Sequence, residues 1–98
     1  MLFIASDHAG IKIKQVATKY CKEHNIAFKD LGVHVSDSVD YPDMAEAVCQ
    51  EMLKDIENSR GILICGSGIG MSIAANRHRA IRAALCFDPY MAAVARKH

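Results

Sequence analysis

The sequence predicts an α/β domain: a parallel, doubly wound, Rossmann-like sheet in three layers, with the element order β-α-β-α-β-α-β-α. Three observations lead there. Short apolar runs alternate with longer segments of helical periodicity. The runs are almost continuously apolar, as strands covered on both faces are. Glycine, Asp-Pro and short polar stretches punctuate the boundaries.

In chain order, Met1–Ser6 reads as a buried strand. Ile13, Val16, Ala17, Tyr20, Cys21 and His24 then recur at helical spacing with lysines opposite, so this stripe is expected to face the sheet. Asn25 stops that helix, and Ile26–Leu31 is the second strand. Pro42 sits where a first helical turn tolerates proline, and Ala45, Val48, Cys49, Met52, Leu53 and Ile56 form the second stripe. Gly61–Cys65 is the third strand, Gly70–Arg77 a helix opening on a glycine loop, and Ala80–Phe87 a fourth strand. Asp88 caps a last helix, with Pro89 as its first residue, running over Tyr90–His98.

Composition narrows the function. The 98 residues fit a single domain, 1–98. Twelve basic and eleven acidic residues are mixed along the chain, so no basic face marks a nucleic-acid partner. No apolar run approaches the length of a membrane span, and Asp7 and His8 come too early for a signal peptide. Cys21, Cys49, Cys65 and Cys86 form no C-x-x-C pair, which reads as reduced thiols in a cytoplasmic protein. Cys21 and His24 make C-x-x-H, but no second ligand pair follows, so no metal is expected. His34 and His78 fall in loops or helix ends and read as solvated.

In sheets of this kind ligands bind beyond the carboxyl ends of the strands. The polar residues there are Asp7 and His8, the run Cys65 to Gly70, and Asp88. The run Gly66-Ser67-Gly68-Ile69-Gly70 matches a dinucleotide fingerprint poorly, since Met71 stands where its last glycine or alanine belongs. Met71 also occupies the arginine slot that a phosphocysteine loop needs to hold phosphate. What the loop offers is backbone N–H groups unobstructed by side chains, a helix N-terminus, and the Ser67 hydroxyl. The same field favours the thiolate of a nearby cysteine. A base, an oxyanion hole and an acid suit proton abstraction next to a carbonyl. A tight turn with an inert cysteine, or an anion-binding or phosphoryl-carrying module, fits the same pattern. Asp7 reads either as a helix cap or as half of an acid–imidazole pair with His8, and Tyr41 either as a packed aromatic or as a pocket wall.

ASDHAG at 5–10, DYPDMA at 40–45, ILICGSGIGMSIAAN at 62–76, IRAALC at 81–86 and DPYMAAVARKH at 88–98 together resemble type B ribose-5-phosphate isomerases, in order along the whole chain. The resemblance implies an isomerase of the pentose phosphate pathway that needs neither metal nor cofactor. It would interconvert ribose 5-phosphate and ribulose 5-phosphate through an enediolate. Cys65 matches the family's proton carrier, Ser67 with Gly66, Gly68, Ile69 and Gly70 the loop that stabilises the enediolate, and His98 the residue that assists ring opening. Asp7, His8 and Tyr41 match residues lining the sugar-phosphate pocket. A branch with glutamate in place of Met71 lacks the cysteine, so this chain sides with the cysteine branch. A hexose 6-phosphate such as allose 6-phosphate stays open as substrate. The family forms a homodimer, or a tetramer, with the site at the subunit interface. Its members run about half as long again, with a further strand, a terminal helix and phosphate-holding arginines that Arg77, Arg79, Arg82 and Arg96 do not match. The domain is therefore expected to be C-terminally incomplete.

Overall fold

A computed structural model describes residues 1–33 and 40–98. Among them, β1 (Leu2–Ser6), β2 (Phe28–Asp30) and β3 (Arg60–Ile64) form a parallel sheet in the order β2-β1-β3. β1 is central, with Leu2 opposite Phe28 on one side and Arg60 on the other. Its apolar sequence follows from that position, because a central parallel strand is covered on both faces.

Side chains alternate across the sheet. Phe3 and Ala5 pack against Val48 of α2 (Tyr41–Leu53), ringed by Leu31, Met44, Met52 and Leu63. Gly61 lets α2 approach: a Cβ there would lie 2.8 Å from both Val48 Cγ1 and Met52 Sδ. Ile4 and Ser6 point to the opposite face, under α1 (Ile11–Glu23). Cys49, Ala75 of α3 (Ile69–Ala75) and Ile81 form a second apolar cluster beyond β3. α4 (Pro89–Lys97) opens on Asp88, whose Oδ1 accepts the Met91 N–H at 2.8 Å, as the Asp-Pro pair predicts. The α/β class, with helices on both faces of a parallel sheet, is as expected.

Four details differ from the sequence reading. First, α1 is rotated. Ile13 and Val16 are 62% and 69% exposed and Tyr20 is also exposed, whereas Lys14 and Cys21 are buried. The rotation is fixed where α1 begins, since Gly10 is wedged against Ile64, and Lys14 is accepted inside because it meets Asp30. Second, Ala80–Phe87 is not a strand. Its period-two pattern is real, with Ile81, Ala83 and Leu85 turned inward between exposed neighbours. Alternation is not a ladder, however. The segment is held at Ala83 by the Asn76 side chain, which accepts the Ala83 N–H and donates to its carbonyl, each at 2.9 Å. An open groove of about 1090 Å³ is lined by both this segment and β3. Third, His78 is paired: its Nε2 lies 2.6 Å from Glu46 Oε2, tying the end of α3 to α2. Hydrogen bonds from Gln50 and then His78 hold the Glu46 carboxyl below its usual range. Fourth, Ile56 lies in a separate 3-10 turn, Ile56–Asn58, outside α2. His34 lies outside the described residues.

Candidate active site

The site is assembled from two strand ends. β3 stops at Ile64, and Cys65 follows directly, half-buried, with its sulfur turned into its own loop. The Gly68 N–H lies 3.1 Å from Cys65 Sγ, so a backbone donor of the loop is aimed at the sulfur. Two residues on, the Ser67 hydroxyl accepts the Ile69 N–H at 3.2 Å and opens α3. Gly68 sits at φ +81, where a side chain is strained, and a Cβ would strike Leu85 Cδ1 at 2.4 Å. Glycine at this position is what lets the backbone N–H reach the sulfur.

β1 ends one step away. Asp7 donates its N–H to the Ile64 carbonyl at 3.0 Å, so the two strand ends are stitched side by side. Its Oδ1 accepts the Ala9 and Gly10 N–H groups, both at 3.0 Å, capping the 3-10 turn His8–Gly10. The helix-cap reading of Asp7 is therefore observed, and His8 is exposed beside it. That turn lies next to the cysteine loop, since a Cβ at Gly66 would be 4.0 Å from the Ala9 Cβ. Tyr41, first residue of α2, lays its ring on Gly70: an added Cβ would meet Cε1 at 2.5 Å and Cζ at 2.6 Å. Tyr41 thus belongs to the wall of the loop, a point that periodicity alone left open.

Cys65, Gly66, Ser67 and Gly68 line the cavity beside β3, together with Ile81, Leu85 and Arg96 among others. Asp7, His8, Tyr41 and His98 do not. His98 stands at the C-terminal end of α4, where its carbonyl accepts from Arg82 Nη1 at 3.0 Å. The structure therefore brings together Cys65, the glycine loop, the Asp7 turn and Tyr41, and leaves His98 out of that group.

The four thiols differ in environment. Cys21 and Cys49 are buried, Cys65 is half-buried and Cys86 is exposed. Burial, followed by the nearby Glu46 charge, pushes the Cys49 thiol up. Because the folded state favours the neutral thiol, the stability tied to it is full below the ordinary cysteine range and lost as pH rises through the raised value. Iodoacetamide on the folded protein is expected to modify Cys86 and Cys65, leaving Cys21 and Cys49 unmodified until denaturation. Peptide mass mapping reads the order.

The arrangement is that of an α/β domain with a thiol and a glycine-rich loop at the carboxyl edge of a parallel sheet. The comparisons narrow the class. The Ribose/Galactose Isomerase family model matches residues 2–98, and the chain belongs to that family. A ribose 5-phosphate isomerase structure from Thermotoga maritima is 50% identical, with a TM-score of 0.93, over 99% of this chain and 66% of that one. Ribose-5-phosphate isomerase B from Mycoplasma genitalium, solved with bound ribulose-5-phosphate, is 40% identical, with a TM-score of 0.94, over 99% and 64%. Ribose-5-P isomerase B of Listeria innocua is 47% identical over 94 residues, which is 96% of this chain and 63% of that protein. The chain spans about two thirds of the length of such relatives. Among the described residues, no helix is long and apolar enough to cross a membrane.

Proposed function

We propose that this chain, as one sugar-phosphate isomerase domain over 1–98, interconverts ribose 5-phosphate and ribulose 5-phosphate. The observation that carries the reading is the half-buried Cys65 sulfur at the end of β3, in contact with a loop N–H and beside the Asp7 turn. A relative of nearly superimposable backbone holding ribulose-5-phosphate supports the substrate class.

In this scheme the Cys65 thiolate takes the proton from C2 of the open-chain aldose. The electron pair moves into an enediolate, and the same thiol returns the proton to C1 to give the ketose, while a proton passes between the two oxygens. Backbone N–H groups of Gly66–Gly70 and the Ser67 hydroxyl stabilise the enediolate charge, with Ile69 contributing through its backbone. Asp7, His8 and Tyr41 contact the sugar phosphate, and His98 assists ring opening, reaching the site across a homodimer or tetramer interface. The scheme uses no cofactor, and a cytoplasmic location belongs to the same proposal. The test is direct. With ribose 5-phosphate in deuterated buffer, the protein should form ribulose 5-phosphate carrying solvent deuterium at C1, unaffected by chelator. Anion binding at the loop without exchange of any sugar carbon-bound proton would replace this reading with a non-catalytic anion-binding module. Faster turnover of a hexose 6-phosphate would reassign the substrate.

A further inference from the structure

We propose that the buried Lys14–Asp30 ion pair is a positioning device that fixes the end of β1, and so aims Asp7, for the isomerisation; its catalytic part rests on the function proposed above. Lys14 is 3% exposed, and its Nζ donates to Asp30 Oδ1 at 2.8 Å and to Oδ2 at 2.7 Å. As an attachment of α1 to β2, such a pair is a poor choice. Taking the Lys14 charge out of water, and most of Asp30 with it at 22% side-chain exposure, is costly. A packed apolar pair of similar volume often holds as well or better.

The carboxylate does what an apolar side chain cannot. While Lys14 fixes it from one side, Asp30 Oδ1 accepts the Gly32 N–H at 2.9 Å. β2 has ended at Asp30, and Gly32 sits at φ +109, a turn open to glycine. Held there, Gly32 accepts the Ser6 N–H at 2.8 Å, and Val33 donates to the Ser6 carbonyl at 3.2 Å. The chain after β2 thereby grips the last residue of β1. On the other side Ser6 is in register with Ile64, and the Ile64 carbonyl takes the Asp7 N–H. The Ser6–Asp7 crest is clamped from both neighbours, and one of the two clamps runs back to Lys14. An apolar side chain in place of the carboxylate would remove the acceptor that holds the Gly32 N–H.

The test uses the whole protein, with turnover of ribose 5-phosphate and residue-resolved amide exchange read together. In the apolar swap Lys14→Met with Asp30→Leu, circular dichroism should stay native. Ser6, Asp7 and Val33 amides should exchange at least roughly tenfold faster, while Phe3 and Leu63 keep their protection. The swap should lower kcat/KM by roughly 10- to 100-fold, the scale of a misplaced site. Lys14→Arg, which keeps the bidentate fork, should restore both readouts to within about threefold of wild type. Should the swap fail to fold, Asp30→Asn gives up the fork while keeping volume, and the same selective loosening of Ser6 and Asp7 is expected. Unchanged exchange at those amides, loosening spread evenly over the sheet, or wild-type kcat/KM in a folded swap would each overturn the proposal. If wild-type protein turned over no ribose 5-phosphate while these amides loosened selectively in the swap, the proposed function would fail and the clamp on Asp7 would stand.

Discussion

Replacing Cys65 with alanine is expected to lower kcat for ribose 5-phosphate by about 10²- to 10⁴-fold, the usual worth of a positioned general base. Folding should be little affected. The side chain is half-buried at a strand end, where its sulfur meets the Gly68 N–H of its own loop. Losing that one hydrogen bond costs about 1 kcal/mol. The substrate should still bind, because Gly66–Gly70 and the Asp7 turn keep their backbone geometry, so KM should change far less than kcat. Coupled detection of ribulose 5-phosphate, with thermal melts of both proteins, checks the split. A variant that kept near wild-type kcat would remove Cys65 from the chemistry.

The second large effect is expected at Gly10, and it falls on stability. A Cβ at that position would lie 2.6 Å from Ile64 Cγ2, 2.9 Å from the Ile64 carbonyl oxygen and 3.1 Å from its carbonyl carbon. The side-chain methyl could give way, but the backbone atoms belong to a strand bonded to β1. Overpacking against an immovable neighbour puts Gly10→Ala at about 2–3 kcal/mol, a fall in Tm of roughly 10–20 °C for a domain this size. Gly66→Ala is the control, since its Cβ would lie 4.0 Å from the Ala9 Cβ, and its Tm should stay within a few degrees. Differential scanning calorimetry on the pair decides. Equal melting temperatures would mean that α1 can ride away from β3 at little cost.

What was legible in the sequence was whatever neighbouring residues settle among themselves. Asp88-Pro89 caps its helix because cap, proline and the donating Met91 N–H lie within one turn, and the Cys65–Gly70 loop follows its strand for the same local reason. The face of α1 was not legible. Lys14 looks like a surface residue until Asp30, sixteen positions on, takes its charge inside, and Gly10 turns the whole helix with it. Ala80–Phe87 alternates like a strand, yet a ladder needs a neighbour at the right distance, and no pattern within the segment reports on that. The contact of Tyr41 with Gly70 joins two elements that neither sequence window contains. In the candidate site, residue types and loop chemistry could be read directly, whereas which strand end lies against which is a matter of register.

Asn76 grips both polar backbone groups of Ala83, one with its oxygen and one with its nitrogen. The clasp therefore has a chemical lifetime. Hydrolysis of that single amide to a carboxylate, the slow ageing reaction of asparagine, would leave an acceptor facing the Ala83 carbonyl where a donor had been. Preparations stored long enough to deamidate at Asn76 should release the 80–87 segment before any strand of the sheet is disturbed.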